Sequence, residues 1–226
     1  MKKEAPNFIY IPTFNCNLNC YYCFEKAYEK NISNDIDLNQ DVNKIFDIFE
    51  KLKDKSEERN QEHYSNDDIL FTITGGEPLL ESNKIVIEKL FDKCKEKGYF
   101  TEIVTNGTTL DKYVDVFRGR KVGGVQVTLD GGEKIHNSIR KTKNGEETFE
   151  KIINNINLIK DYVESVVGRI NVNKINIDSI KELYNIAQNN SNVKFYTFIM
   201  QQEGCHDNEN ILEETEALRD MGGNVV

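Results

Sequence analysis

Cys16, Cys20 and Cys23 fall within FNCNLNCYYCFEK (14–26), separated by three residues and then by two. Thiolates are soft metal ligands, and three on one short stretch can share a single centre. Three readings are open. The cysteines could be unrelated buried thiols, although a stretch flanked by Asn and Tyr makes a poor core segment. They could hold zinc, but a structural zinc site wants four ligands, usually in two pairs. The other candidates are Cys94, Cys205, His63, His136 and His206; Cys94 sits on the apolar stripe of a helix, and Cys205 and His206 come without a second CxxC. Lastly, they could hold an iron–sulfur cubane at three of its corners. Ordinary cubanes take four thiolates. With three, one iron keeps open positions that suit the amino group and carboxylate of a small molecule.

Such a loop needs a scaffold, and the rest of the chain reads as one. Short β-rich runs at 7–12, 68–74, 99–105, 123–130, 167–173 and 193–200 alternate with helical patterns. Those patterns cover 41–52, 82–98, about 109–118, 146–164, 177–188 and 209–222. In the first, Val42, Ile45, Phe46, Phe49 and Leu52 share a stripe; in the second, Ile87, Leu90, Phe91 and Cys94 do, with Gly98 as a stop. The charged, aperiodic stretch 53–67 reads as a solvated loop. Strands alternating with helices imply a parallel sheet with helices packed outside it. Six units are too few for an eight-stranded closed barrel. The fold class expected is therefore α/β, either an open, curved partial barrel or a doubly wound sheet.

Polar or glycine-rich groups follow five of the six strands: the cysteines, TGGEP, TNG, TLDGG and NVNKIN. Parallel α/β proteins bind ligands at that edge of the sheet, so these loops should converge on one site. A net charge of −9 argues against a nucleic-acid backbone as the main partner. No run of 18 apolar residues predicts a membrane helix, and the N-terminus shows no signal peptide. The expected compartment is the cytoplasm, where five cysteines, three of them clustered, fit a metal centre better than a disulfide framework.

The cysteine spacing, with the aromatic Tyr22 just before the last thiol, resembles the signature of the radical S-adenosylmethionine (SAM) enzymes. TGGEPLL (74–80) resembles their GGE motif. QVTLDGGEKIHNSIRKTKNGEETFEKIINNI (126–156) is similar to the fourth unit of the peptide- and protein-modifying subgroup with a SPASM or twitch extension, which includes anaerobic sulfatase maturases and ribosomal-peptide maturases. The resemblance covers about residues 7 to 200. It implies a partial (β/α)6 TIM-like barrel, in agreement with the six units counted above.

It also implies the cofactors and the work of single residues. Cys16, Cys20 and Cys23 would hold three irons of a [4Fe–4S] cluster, with SAM on the fourth. Cleavage of SAM would give a 5′-deoxyadenosyl radical that takes hydrogen from a peptide or protein. Gly75, Gly76 and Glu77 would meet the methionyl amino group, the Glu77 carboxylate accepting from the ammonium or ordering the loop, unless TGGEP is only a strand-to-helix turn with Pro78 starting the helix. Thr128 and Arg140 would contact the SAM carboxylate or ribose, Arg140 being a surface charge otherwise. Tyr22 would lie near the adenine, and Asn173 near the ribose. Asn106 would bond the cofactor or make the turn before Gly107. Asp130 would be a proton acceptor or substrate contact, or a cap on the turn into Gly131 and Gly132. His136 fits the subgroup's IHxxxR pattern without an assigned role. Glu203, Cys205 and His206 would be substrate-side candidates.

The subgroup's extension carries further cysteines, and here only Cys205 follows the core. Residues 1–226 are thus expected to be one radical SAM core domain, either lacking an auxiliary-cluster domain or truncated before it, and a partner chain would close the barrel. The resemblance implies a reductant such as flavodoxin or ferredoxin. Two alternatives remain: a radical SAM enzyme acting on a small metabolite, and a non-catalytic core that binds a cluster or peptide.

Overall fold

The computed structural model describes residues 6–25, 42–120, 122–172, 175–183, 193–199 and 224–225. Seven strands form one sheet in chain order: β1 (Asn7–Tyr10), β2 (Leu70–Ile73), β3 (Phe100–Thr105), β4 (Val122–Thr128), β5 (Val163–Val172), β6 (Val193–Ile199) and β7 (Asn224–Val225). Every neighbouring pair is parallel. Among the described residues β1 and β7 do not pair with each other, so the sheet is open. Parallel order requires a crossover between each pair, and a chain that only steps forward puts every strand's C-terminal end on one edge. The loops after β1 to β5 therefore meet there, as expected from their composition.

Among the described residues the α-helices are α1 (Val42–Asn60), α2 (Lys84–Lys97), α3 (Val114–Gly119), α4 (Glu133–Ile139) and α5 (Phe149–Ile159). Strand residues facing them build the core. Phe46 of α1 stacks on Phe71 of β2, and Phe8 of β1 stacks on Phe49. Ile87, Leu90, Phe91 and Cys94 of α2 are all buried, so Cys94 is a core thiol, as its stripe predicts. Gly98 ends α2 in the left-handed conformation at φ 76°, the C-cap that glycine adopts without a Cβ clash.

Several boundaries differ from the sequence reading. The supposed loop at 53–60 continues α1. It is held by polar links that a hydrophobic period cannot reveal. Lys53 is buried and donates to Asn66 Oδ1 at 2.8 Å. Glu57 Oε1 accepts the Tyr64 backbone N–H at 2.9 Å. Leu52, assigned to the buried stripe, is exposed. Val163, assigned to the helix at 146–164, instead begins β5 opposite Val122. The helix stops at Ile159, and the following run of β-branched residues joins the sheet. α4 was not anticipated, nor was β7 in the GGNVV tail. The helix expected at 177–188 is described only to residue 183, and the one at 209–222 lies outside the described residues. No helix among the described residues is long and apolar enough to cross a membrane.

Candidate cluster and cofactor site

The cysteine loop leaves β1 and is fixed by three neighbours. The first is TGGEP, after β2. Gly76 N–H donates to Thr13 O at 3.0 Å, and Glu77 N–H to Asn15 O at 2.8 Å. A Cβ on Gly76 would lie 2.3 Å from Phe14 O, and one on Gly75 would lie 2.5 Å from Thr13 O. The glycines are thus pressed against the backbone that leads into Cys16, and their lack of a side chain permits that approach.

Glu77 orders the loop. Its carboxylate is fully buried. Oε1 accepts from Leu79 N–H at 2.9 Å and from Thr105 Oγ1 at 2.7 Å, and Oε2 accepts from Asn106 N–H at 2.7 Å. It therefore ties the end of β2 to the end of β3. Burial pushes its pKa up, against the pull of those three donors.

The second neighbour is TNG, after β3. The Asn106 Nδ2 group donates to Cys16 Sγ at 3.7 Å and to Asn17 Oδ1 at 2.8 Å. Asn106 also makes the turn, since its Oδ1 accepts from Thr108 N–H at 2.9 Å. Gly107 has φ 81°, and a Cβ there would meet Val127 Cγ1 at 2.7 Å. Third, the segment after α4 runs antiparallel to the loop. Leu18 bridges Thr142, Asn19 N–H donates to Lys141 O at 2.9 Å, and Lys143 N–H donates to Asn17 O at 3.1 Å.

Cys20 is buried, while Cys16 and Cys23 are partly exposed. Leu18 N–H donates to Cys16 Sγ at 3.4 Å. Burial pushes the Cys16 thiol up to about 11, so a metal must displace its proton. Among the described residues no three His, Cys, Asp or Glu side chains gather into a single-ion site. Soft ligands on one loop, with N–H groups already aimed at a sulfur, fit a multi-iron cluster, whose thiolates attach to separate irons.

Beside the loop lies a buried polar group of four. Tyr22 donates its hydroxyl to Asp130 Oδ2 and accepts from Arg140 Nη1. Arg140 also reaches Asp130 Oδ2 at 3.4 Å. Asn171 donates to Asp130 Oδ1 through its backbone N–H at 3.0 Å and through Nδ2 at 3.3 Å. Burial raises the Tyr22 phenol. Burial works against the charge on Arg140, but Tyr22 and Asp130 outweigh it and hold the guanidinium charged. Asp130 is fully buried with both oxygens engaged, which suits a residue that positions others; it neither caps the turn nor faces open solvent. Arg140 is not a surface charge, and its Nε is a buried donor without a partner. A buried guanidinium donor without a partner is chemically suited to an acidic group.

His136 lies under this group. Asp130 N–H donates to its Nδ1 at 3.3 Å, which makes that nitrogen the acceptor; Nε2–H then faces Thr148 Oγ1 at 3.1 Å. Thr148 in turn donates to Arg140 O at 2.7 Å. The imidazole is neutral, its pKa pushed down to about 3 by burial and by Arg140.

The structure thus brings Cys16, Cys20, Cys23, Tyr22, Gly75, Gly76, Glu77, Asn106, Asp130 and Arg140 to one edge. Thr128 is buried at the end of β4 on the same edge. Asn173, Glu203, Cys205 and His206 lie outside the described residues. Sequence reasoning missed Asn171, two positions before Asn173; the polar alternation of RINVN was its only signal. It also missed Asn17 and Thr108.

The profile of the Radical SAM superfamily matches residues 10–187, and the chain belongs to that superfamily. Its members use a [4Fe–4S] cluster and SAM. The chain is 29% identical over 152 residues to a cysteine-type anaerobic sulfatase-maturating enzyme of Clostridium perfringens, covering 65% of this chain and 38% of that protein. It is 31% identical over 159 residues to a serine-type anaerobic sulfatase-maturating enzyme of Bacteroides thetaiotaomicron, covering 65% and 34%. It therefore spans little more than a third of these relatives. A solved structure of native anSMEcpe with bound AdoMet and Cp18Cys peptide superposes with TM-score 0.65 at 21% identity, over 95% of this chain and 59% of that one. The fold is thus the partial TIM-like barrel of this superfamily, with a short seventh strand added.

Proposed function

We propose that this chain is the SAM-cleaving core of an enzyme that modifies a peptide or protein by abstracting hydrogen. Cys16, Cys20 and Cys23 would hold the [4Fe–4S] cluster, and Arg140 and Thr128 would receive the carboxylate or ribose of SAM. The observation that carries this reading is the meeting of the cysteine loop with a buried, incompletely paired arginine, joined through Tyr22 at the C-terminal edge of the sheet.

When bound, cluster and SAM would supply the radical chemistry that removes hydrogen from the substrate. The protein's part is to orient and shield. Glu77 and the Gly75–Gly76 turn hold the loop. Asp130 and Asn171 hold Tyr22 and Arg140 in place, and neutral His136 supports the Asp130 backbone. The peptide class of substrate is supported by the sulfatase-maturating relatives.

The test is anaerobic reconstitution with iron and sulfide, then addition of SAM and dithionite. Wild type should form 5′-deoxyadenosine, and Cys20→Ala should not. With a peptide deuterated at the reacting carbon, deuterium should appear in 5′-deoxyadenosine. A fully loaded cluster that leaves SAM intact would overturn the reading.

A further inference from the structure

The side chains of Asn17, Asn106 and Thr108 form a closed ring of hydrogen bonds. Asn17 Nδ2 donates to Thr108 Oγ1 at 2.8 Å, Thr108 Oγ1 donates to Asn106 Oδ1 at 2.7 Å, and Asn106 Nδ2 donates to Asn17 Oδ1 at 2.8 Å. The ring settles which end of each amide is which. Thr108 N–H can only donate, so the atom it meets at 2.9 Å is the Asn106 oxygen. Asn106 Nδ2 must then face the other way, with one hydrogen on Asn17. Its second hydrogen points at Cys16 Sγ, 3.7 Å away. Asn106 and Thr108 are both buried, and Asn17 is partly so.

Turn-making alone does not require this. Asn106 Oδ1 makes the turn; the amide nitrogen is left over, and two further side chains fix its direction. Hydrogen bonds to ligand sulfurs are among the features that set the potential of an iron–sulfur centre. The reduced cluster carries one more negative charge than the oxidised one. An N–H dipole at a thiolate therefore stabilises the reduced form more.

We propose that Asn106, aimed by Asn17 and Thr108, is a positioning residue that raises the reduction potential of the cluster through its hydrogen bond to Cys16. This rests on the assignment of Cys16 as a cluster ligand. Leu18 N–H also donates to Cys16 and survives any side-chain change, so removal of Asn106 shifts the potential only in part.

The experiment compares reconstituted wild type, Asn106→Ala and Thr108→Val at matched iron and sulfide content. Redox titration followed by electron paramagnetic resonance reads the midpoint potential of each. The midpoint of Asn106→Ala should move to more negative values, and that of Thr108→Val should move the same way by less. Midpoints equal to wild type in both variants would overturn the proposal. If Asn106→Ala folds but takes up no cluster, Thr108→Val decides by the same criterion. If neither folded variant takes up cluster, the ring is a structural support and the tuning role is refuted. Failure of wild type itself to take up a cluster would refute the parent assignment, a result distinct from all of these.

Discussion

The carboxylate of Glu77 accepts the backbone N–H of Asn106 at 2.7 Å, inside the protein. One side chain thereby connects the loop after β2 to the loop after β3, and both loops touch the residues around Cys16. In Glu77→Gln the amide must turn its NH2 toward a donor on one side or the other. Leaving a buried donor unsatisfied costs about 1–3 kcal/mol. The urea midpoint should fall accordingly, with reduced iron retention in the reconstituted protein; an unchanged midpoint would show that the link is not needed.

Gly76 tests the close approach on the other side of that loop. A methyl there would sit 2.3 Å from Phe14 O and 2.4 Å from Asn15 O, both backbone atoms that cannot swing away. Gly76→Ala should destabilise by about 3 kcal/mol, the upper part of the range for overpacking. Thermal denaturation reads the loss. Gly119, with nothing within 4 Å of its added Cβ, gives the contrasting substitution, and Gly119→Ala should cost little.

Asp130 and Arg140 should show strong energetic coupling. Removing either partner of a buried ion pair leaves a charge uncompensated, at about 3–5 kcal/mol. Asp130→Ala and Arg140→Ala should each approach that cost, and the double variant should cost clearly less than their sum. Denaturant titration of all four proteins checks this. Additive losses would mean that the two side chains act independently.

His136 sets an acid limit. Its pKa is about 3 in the folded chain, below the ordinary 6.5 of an unfolded one. The unfolded state therefore binds more protons between those values, and stability contributed by the neutral imidazole is lost as pH falls from 6.5 toward 3. The slope within the window is about 1.4 kcal/mol per pH unit. Unfolding measured at pH 7 and pH 5 should differ by less in His136→Gln than in wild type.

The cysteines separate by role. Cys20→Ser should abolish iron and sulfide incorporation while leaving the far-ultraviolet circular dichroism intact. Cys94→Ala should keep the cluster and lose stability, because Cys94 fills the core behind α2. Iron assay and thermal melts on both variants distinguish the two kinds of thiol.

Much of this architecture was legible in the order of residues. Strands and helices alternate with clear periods, and the loops after successive strands carry the reactive or glycine-rich groups, so the sheet edge could be located beforehand. The cysteine spacing singled out the loop after β1 as the candidate site. Long-range polar pairing stayed hidden, because it leaves no period. Nothing in the neighbours of Lys53 shows that it will bury itself against Asn66. Likewise Asn137 Oδ1 accepts both Thr148 and Phe149 N–H, and so caps α5 from α4. The polar links inside the site were hidden for the same reason. Glu77 binds the next loop, and Asp130 holds Tyr22, Arg140 and Asn171.

Asn155 of α5 donates to the carbonyl of Gly107, in the same loop that carries Asn106. Damage to a helix on the outer wall would thus surface as faulty metallation. A colony screen for pale protein, in which the brown of iron is lost, should return substitutions at Asn155 alongside the cysteines, although no sulfur lies on that helix.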